Sequence, residues 1–137
     1  MQKPEKGEYL GLDQLETYQL ARQLSRVAWQ VYLKLDWQQK KIIGDQYITA
    51  TDSCGANIAE GYGRFHFLDK VKFYYNARAS LVESMHWMKL LSERDIIQEK
   101  ILVDEYAKVY PQLSMKLNAF IRAALRQKES SLRVTNS

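Results

Sequence analysis

Four long stretches of this sequence repeat their apolar residues at helical spacing, and no stretch shows the polar–apolar alternation of a half-buried strand. The stretches run from Leu12 to Leu35, from about Gln39 to Glu60, from His66 or Phe67 to about Ser92, and from Asp95 to about Gln127. With only two prolines and six glycines, the chain lacks the frequent turn signals of a β-sandwich or barrel. The pattern predicts an all-α fold, an antiparallel up-down-up-down four-helix bundle.

Each stretch carries an apolar stripe that we expect to face the bundle core. The stripe positions recur every three or four residues: Leu20, Leu24, Val27, Ala28, Val31 and Leu35; then Ile43, Tyr47, Ala50, Cys54 and Ile58; then Phe67, Val71, Tyr74, Leu81, Met85 and Met88; then Leu102, Tyr106, Val109, Leu113, Leu117, Phe120 and Ala124. A row of small residues, Ala77, Ser80 and Ser84, suits close packing of a neighbouring helix.

The first stretch also has a second apolar row on its opposite side, formed by Leu15, Tyr18, Trp29 and Leu33. A bundle that exists as a monomer needs only one buried stripe per helix. A second row that includes a tryptophan and a tyrosine is typical of a subunit contact. It predicts a homo-oligomer.

Local signals set the expected boundaries. Gly61 and Gly63 are expected to end the second helix with a positive φ, and Asp95 with Gln98 resembles a capping box that opens the fourth. Residues 1–8 are predicted to be a flexible N-terminal tail, 9–127 the bundle, and 128–137 a flexible C-terminal tail.

Neither a signal peptide nor a membrane-spanning run is expected from this sequence, and one cysteine allows no disulfide within the chain. A cytoplasmic protein without a membrane partner is the expectation.

The net charge of +4 is concentrated in two segments. The first contains Arg64, Lys70 and Lys72, and the second contains Arg122, Arg126 and Lys128. In an up-down bundle the start of the third helix and the end of the fourth lie at the same end. The two segments therefore predict one basic surface that attracts nucleic-acid phosphates.

Signals for catalysis, for a cofactor and for a metal are weak. Cys54 lies on a core stripe, where a small buried apolar group is the more frequent role. His66 is expected to be a turn or cap residue, and His86 a surface or interface one. Glu83 and His86 form one Glu-x-x-His pair, whereas a di-iron bundle needs two such pairs and two further glutamates. We expect no catalytic residue, no cofactor and no metal.

Polar residues of the second and third stretches lie close to the core stripes. Asn57 and Glu60 lie one helical turn apart, and Arg78 occupies a stripe position on the next helix. Two interpretations remain open: a polar binding site between these helices, or a structural clamp in which Asn57 or Glu60 accepts a hydrogen bond from Arg78. The clamp is favoured.

The segment Asn57-Ile58-Ala59-Glu60-Gly61-Tyr62-Gly63-Arg64, followed by Phe73, Ala77-Arg78-Ala79-Ser80-Leu81 and Glu83, resembles the four-helix-bundle family of 23S rRNA intervening-sequence proteins. The segment Leu15-Glu16-Thr17-Tyr18-Gln19-Leu20-Ala21 is similar to the first helix of that family. The resemblance extends over residues 12–125 and includes a relation to the accessory variability determinant of diversity-generating retroelements. This chain departs from the family pattern at Gly55, His66, Lys70 and Ala79.

The resemblance implies a non-enzymatic bundle that assembles into a ring, a homopentamer, with a basic surface for nucleic acid. The first functional hypothesis is a ring that binds RNA or DNA, with a reverse transcriptase as a protein partner. The alternative is a structural assembly module that has protein partners only.

Overall fold

The computed structural model describes the backbone of residues 11–136 and the side chains of residues 11–130. The elements are α1 (Glu16–Leu33), α2 (Trp37–Gln39), a π-helical turn (Lys40–Gly44), α3 (Asp45–Tyr62), α4 (Phe67–Glu93) and α5 (Lys100–Asn136), and residues 11–14 form a further helical turn. Within residues 11–136 all regular structure is helical, so the predicted all-α bundle is confirmed. The predicted N-terminal tail, residues 1–8, lies outside the described residues.

The four long helices surround one core. α1 packs against α3 and α5, and α4 packs against the same two helices. Contacts between α4 and α5 pair Tyr74 with Phe120 and Ser84 with Tyr106. Residue numbers rise along one helix as they fall along the other, so these two helices pass each other in opposite chain directions. The up-down-up-down order of the whole bundle stays a prediction.

The predicted core stripes are buried in the structure. All stripe positions of α3 and its preceding π-helical turn are at most 4% exposed, and the stripe positions that are only half-buried are Leu20, Phe67, Met85, Leu102 and Phe120. Burial of a Leu, Ile, Val or Met side chain is worth about 1.5–3 kcal/mol. The apolar stripes therefore supply the main stabilisation of the bundle.

The second helical segment begins earlier than predicted, at Trp37. Its first turn has a capping box: the Asp36 side chain accepts a hydrogen bond from the Gln39 backbone N–H at 2.8 Å, and Gln39 Oε1 accepts one from the Asp36 N–H at 3.0 Å. The π-helical turn that follows ends at Gly44, where a Cβ would lie 2.7 Å from Leu35 Cδ1. The glycine therefore allows α1 and this turn to approach closely.

Asp95 does not open the last helix, so that prediction is wrong. It has a φ of 54°, which aspartate tolerates better than most residues, and it follows Arg94, the C-cap of α4. The Ile96 and Ile97 N–H groups both donate to the Leu91 carbonyl, at 2.9 and 3.3 Å, and Ile97 is buried. Because this capping turn and the buried Ile97 occupy the link, α5 begins only at Lys100.

The predicted end of the last helix at Gln127 is also displaced, because α5 continues to Asn136. Residues 128–130 are exposed. No apolar period marks this part of the helix, which is why it was predicted as a tail.

Candidate nucleic-acid interface

The connection between α3 and α4, residues 63–66, which we call the corner, is fixed by close packing rather than by a left-handed glycine. No glycine of the described chain has a positive φ, and Gly63 has a φ of −75°. The predicted positive-φ stop is therefore wrong. At Gly61 a Cβ would lie 2.6 Å from Tyr74 Cε1 and 3.1 Å from Phe73 Cβ. Glycine is needed at position 61 because α4 crosses directly over its Cα.

His66 is the N-cap of α4, as the sequence predicted. Its Nδ1 accepts a hydrogen bond from the Leu68 backbone N–H at 3.3 Å. The imidazole also stacks on the Phe67 ring, with the centroids 4.7 Å apart. Both contacts fix the direction in which the chain enters α4.

Lys70 lies at the corner but does not point freely into solvent. Its Nζ donates to the carbonyls of Gly61 and Tyr62, at 3.4 and 3.2 Å, and lies 5.7 Å from the centroid of the Tyr62 ring. A lysine in this position satisfies the last carbonyls of α3 and compensates the negative end of that helix. Burial lowers the pKa of Lys70. This corrects the sequence prediction, because Lys70 holds the corner together instead of offering a free charge.

Arg64 is partly neutralised within the chain. Its Nη2 lies 3.3 Å from Glu60 Oε2, and the guanidinium lies over the Phe73 ring at 4.9 Å. Both members of the ion pair are about half exposed, at 47% and 60% of the side-chain surface. Such surface pairs exchange readily with a phosphate, since they are worth only about 0–1 kcal/mol.

Four further cations at this end are exposed and form no ion pair within residues 11–130: Lys72, Arg122, Arg126 and Lys128. The first turns of α4 and the later turns of α5 meet in a shallow cavity lined by Tyr62, Lys70, Tyr74, Phe120, Ala123, Ala124 and Gln127. This contact brings the two basic segments to the same end of the molecule, as predicted. We call Lys72, Arg122, Arg126 and Lys128 together the basic end.

The predicted clamp is wrong in its partners. Glu60 pairs with Arg64, and Asn57 Nδ2 donates to the Ser53 carbonyl at 2.9 Å within α3. Arg78 is exposed, donates to Asn118 Oδ1 at 3.2 Å and lies over the Tyr75 ring at 5.0 Å. The long arginine side chain leaves the core stripe and reaches α5 at the surface.

A hydroxyl junction in the core joins three helices instead, and apolar periodicity alone gives no sign of it. Tyr106 Oη of α5 donates to Ser84 Oγ of α4 at 2.6 Å and lies 3.1 Å from Thr51 Oγ1 of α3. Ser84 and Thr51 also donate to carbonyls of their own helices, those of Leu81 and Tyr47. All three residues are at most 1% exposed.

Burial dominates the ionisation of the groups around this junction. It raises the pKa of Tyr106 to about 12, although the hydrogen-bond contacts of its hydroxyl with Ser84 and Thr51 oppose the rise. It raises the pKa of the Cys54 thiol to about 12 as well, so this thiol stays protonated at neutral pH. Burial next to Tyr106 also raises the pKa of Tyr47, whose hydroxyl has no hydrogen-bond partner among the described residues.

The predicted oligomer residues lie along α1, and two of them share a groove. Tyr18 and Trp29 line a groove of about 710 Å³ between α1 and α3. Its lining also includes small residues, Ala21, Ser25, Gly55, Ala56 and Ala59, and the charged residues Arg22, Arg26 and Asp52. Trp29 is 48% exposed and Leu33 at the end of α1 is 51% exposed. Leu15 is half-buried at the N-cap of α1.

Across residues 11–136 no cluster of three or more His, Cys, Asp or Glu side chains is arranged to hold a metal ion. None of the helices in this part of the chain combines the length and the hydrophobicity that a bilayer crossing requires.

Residues 13–119 match the sequence profile of the 23S rRNA-intervening sequence protein family. The chain belongs to this family. The match contains the corner and most of the core, and it confirms the resemblance predicted from the segment around Asn57 to Arg64.

A crystal structure with the same fold comes from Bacteroides thetaiotaomicron and is described as a protein of unknown function from the S23 ribosomal protein family. The similarity has a TM-score of 0.70 at 18% identity and covers 77% of this chain and 97% of that one. No curated protein matches the sequence significantly.

Proposed function

We propose that this protein is a non-enzymatic, ring-forming bundle whose basic end binds the phosphates of RNA or DNA. The observation that carries the proposal is the gathering of Lys72, Arg122, Arg126 and Lys128, all exposed and without an ion pair among the described residues, at one end of the subunit. Cations without internal partners are free to replace the counterions of a phosphate backbone.

The contacts of the basic end suggest what kind of recognition to expect. Its charged groups lie on helices rather than on a platform of aromatic strands, so the main contacts are with phosphates. Binding is then weakly selective for sequence and strongly weakened by salt. A ring would repeat the same surface once per subunit and increase the affinity through multivalency.

A charge-reversal pair tests the proposal. The double variant Arg122→Glu with Arg126→Glu should lower the affinity for a labelled RNA or DNA at least 10-fold in fluorescence anisotropy at ~50 mM salt. The matched control is Lys34→Glu with Lys41→Glu, which changes the net charge by the same amount. Lys34 is the C-cap of α1, and Lys41 lies in the π-helical turn that follows. Glu16, at the start of α1, pairs with Lys116 of α5 at 3.0 Å, so Lys34 and Lys41 lie toward the other end.

The control should bind like the wild type. Equal losses in both double variants would show that net charge, and not the basic end, determines binding.

Ring assembly is the second part of the proposal, and the groove between α1 and α3 supports it. The small residues of this groove leave room beside Tyr18 and Trp29 for apolar side chains of a second subunit, and Arg22, Arg26 and Asp52 offer it polar partners. From the resemblance to the accessory variability determinant suggested by the sequence, we propose a pentamer and, as a protein partner, a reverse transcriptase. Should nucleic-acid binding fail while assembly holds, the structural assembly module is the remaining function.

Assembly is tested by multi-angle light scattering at micromolar concentration. We expect a mass several times the 16.1 kDa of one chain. Trp29→Glu should produce a folded monomer, because a carboxylate in the groove would have to be desolvated on assembly. The control is Trp37→Glu, since Trp37 is 75% exposed and does not line the groove. A wild-type monomer would contradict this part of the proposal.

A further inference from the structure

Phe65, at the tip of the corner, has a side chain that is fully exposed. Its position between α3 and α4 places it at the same end as the free cations of the basic end. A phenylalanine in this position contributes nothing to the core, so its ring is available for an external partner.

The residues on both sides of Phe65 are held in place. Arg64 is paired with Glu60 and lies over the Phe73 ring, and His66 caps α4 and stacks on Phe67. The backbone on each side of Phe65 is thereby tied to a helix. The backbone position of Phe65 is thereby restrained, which reduces the part of the ordering cost of binding that comes from the chain.

The surroundings of Phe65 favour a partner that is both anionic and aromatic. Among the described exposed apolar residues, Leu68 is the nearest along the chain, and it is about half exposed. Two apolar side chains are a small anchor for a lipid surface, which usually needs a longer apolar face. A nucleotide with an unpaired base, in contrast, offers a flat ring for Phe65 and a phosphate for the cations.

We propose that Phe65 stacks on an unpaired base, so that this surface selects single-stranded or looped nucleic acid over a fully paired duplex. This inference rests on the proposed function and narrows its ligand class. The cations supply affinity for any phosphate backbone, and Phe65 supplies the preference for a base that has left its stack.

The test compares the full chain and its variants on one labelled oligonucleotide, as a single strand and as a blunt duplex, by fluorescence anisotropy at ~50 mM salt. Phe65→Ala should weaken binding to the single strand about 5- to 150-fold and change duplex binding less than about 2-fold. Phe65→Trp should restore the preference, because any aromatic ring can stack. Ile101→Ala is the control, since Ile101 is 81% exposed and lies at the start of α5.

Equal affinity of wild type and Phe65→Ala for the single strand would overturn the stacking inference and leave the proposed function intact. An equal loss on both substrates would overturn it as well, because stacking requires an unpaired base. Absence of wild-type binding to either substrate would overturn both the stacking inference and the proposed function. A loss confined to anionic phospholipid vesicles, with oligonucleotide binding unchanged, would assign Phe65 to a membrane surface instead.

Discussion

In the middle of the bundle, Thr51, Ser84 and Tyr106 join three helices through hydroxyl groups that are at most 1% exposed. Glu60 near the end of α3 and Arg64 in the corner also form a polar contact, but this contact lies at the surface and links residues only four positions apart. A buried hydrogen bond is costly to leave unmade, whereas a surface ion pair is screened by water. The junction therefore determines how the helices are registered, and the charged residues of the corner remain available for a ligand.

The largest expected effect is alkaline unfolding, which originates in the middle of the bundle. Tyr106 and Cys54 have their pKa values raised to about 12 by burial, above the ordinary values of 10.0 and 9.0. The unfolded chain therefore loses these protons first, and the free energy of unfolding should fall as the pH rises from 9 through 12. Urea unfolding at fixed protein concentration across this range measures the fall.

Tyr106→Phe should make the fall smaller above about pH 10, because one of the groups that must ionise is gone, while Cys54 still sets its onset near pH 9. A free energy of unfolding that stays constant from pH 9 to 12 would contradict the assignment of these groups to the core.

The next effect compares two tyrosine hydroxyls of the core. Tyr106→Phe at neutral pH removes the link between Ser84 and Thr51 and should lower the free energy of unfolding by about 1–2 kcal/mol. Tyr47→Phe removes a buried hydroxyl that has no partner among the described residues and should be neutral or stabilising by up to about 1 kcal/mol. Urea unfolding of both variants checks this, and equal losses would mean that the junction has no special role.

The smallest effect is expected for the charged residues near the corner. Glu60→Ala and Arg78→Ala should each change the free energy of unfolding by less than about 1 kcal/mol, since both side chains are exposed. Because they have different partners, Arg64 and Asn118, the two changes should be additive in a double-mutant cycle. A coupling energy above about 1 kcal/mol would restore the clamp that the sequence suggested.

Apolar periodicity predicted most of the fold, because stripes such as Ile43 to Ile58 bury the side chains that stabilise the helices. It did not predict the polar contacts. Tyr106 and Ser84 were assigned to the core only as an apolar ring and as a small residue, although their hydroxyl groups had to find partners once buried. Arg78 lies at a core-stripe position and was therefore expected to have a polar partner beside the core. Its long side chain instead reaches the surface, where it contacts Asn118.

The basic end was predictable as a set of charges but not as a set of free charges. Lys70 and Lys72 are equivalent in the sequence, yet one lies at the carbonyl end of α3 and the other faces outward. Only the crossing of α4 over Gly61 decides between them. The exposed ring of Phe65 gave no signal in the sequence, because it lies in a short link that has no apolar period.

The salt dependence of nucleic-acid binding by the wild-type protein tests the central claim most directly. The logarithm of the association constant should fall linearly with the logarithm of the salt concentration, with a slope of roughly −0.9 for each duplex phosphate neutralised. Reversal of Arg122 and Arg126 should make this slope shallower. The absence of binding to any single strand or duplex at ~50 mM salt, or binding that salt does not weaken, would contradict a phosphate-binding role for the basic end.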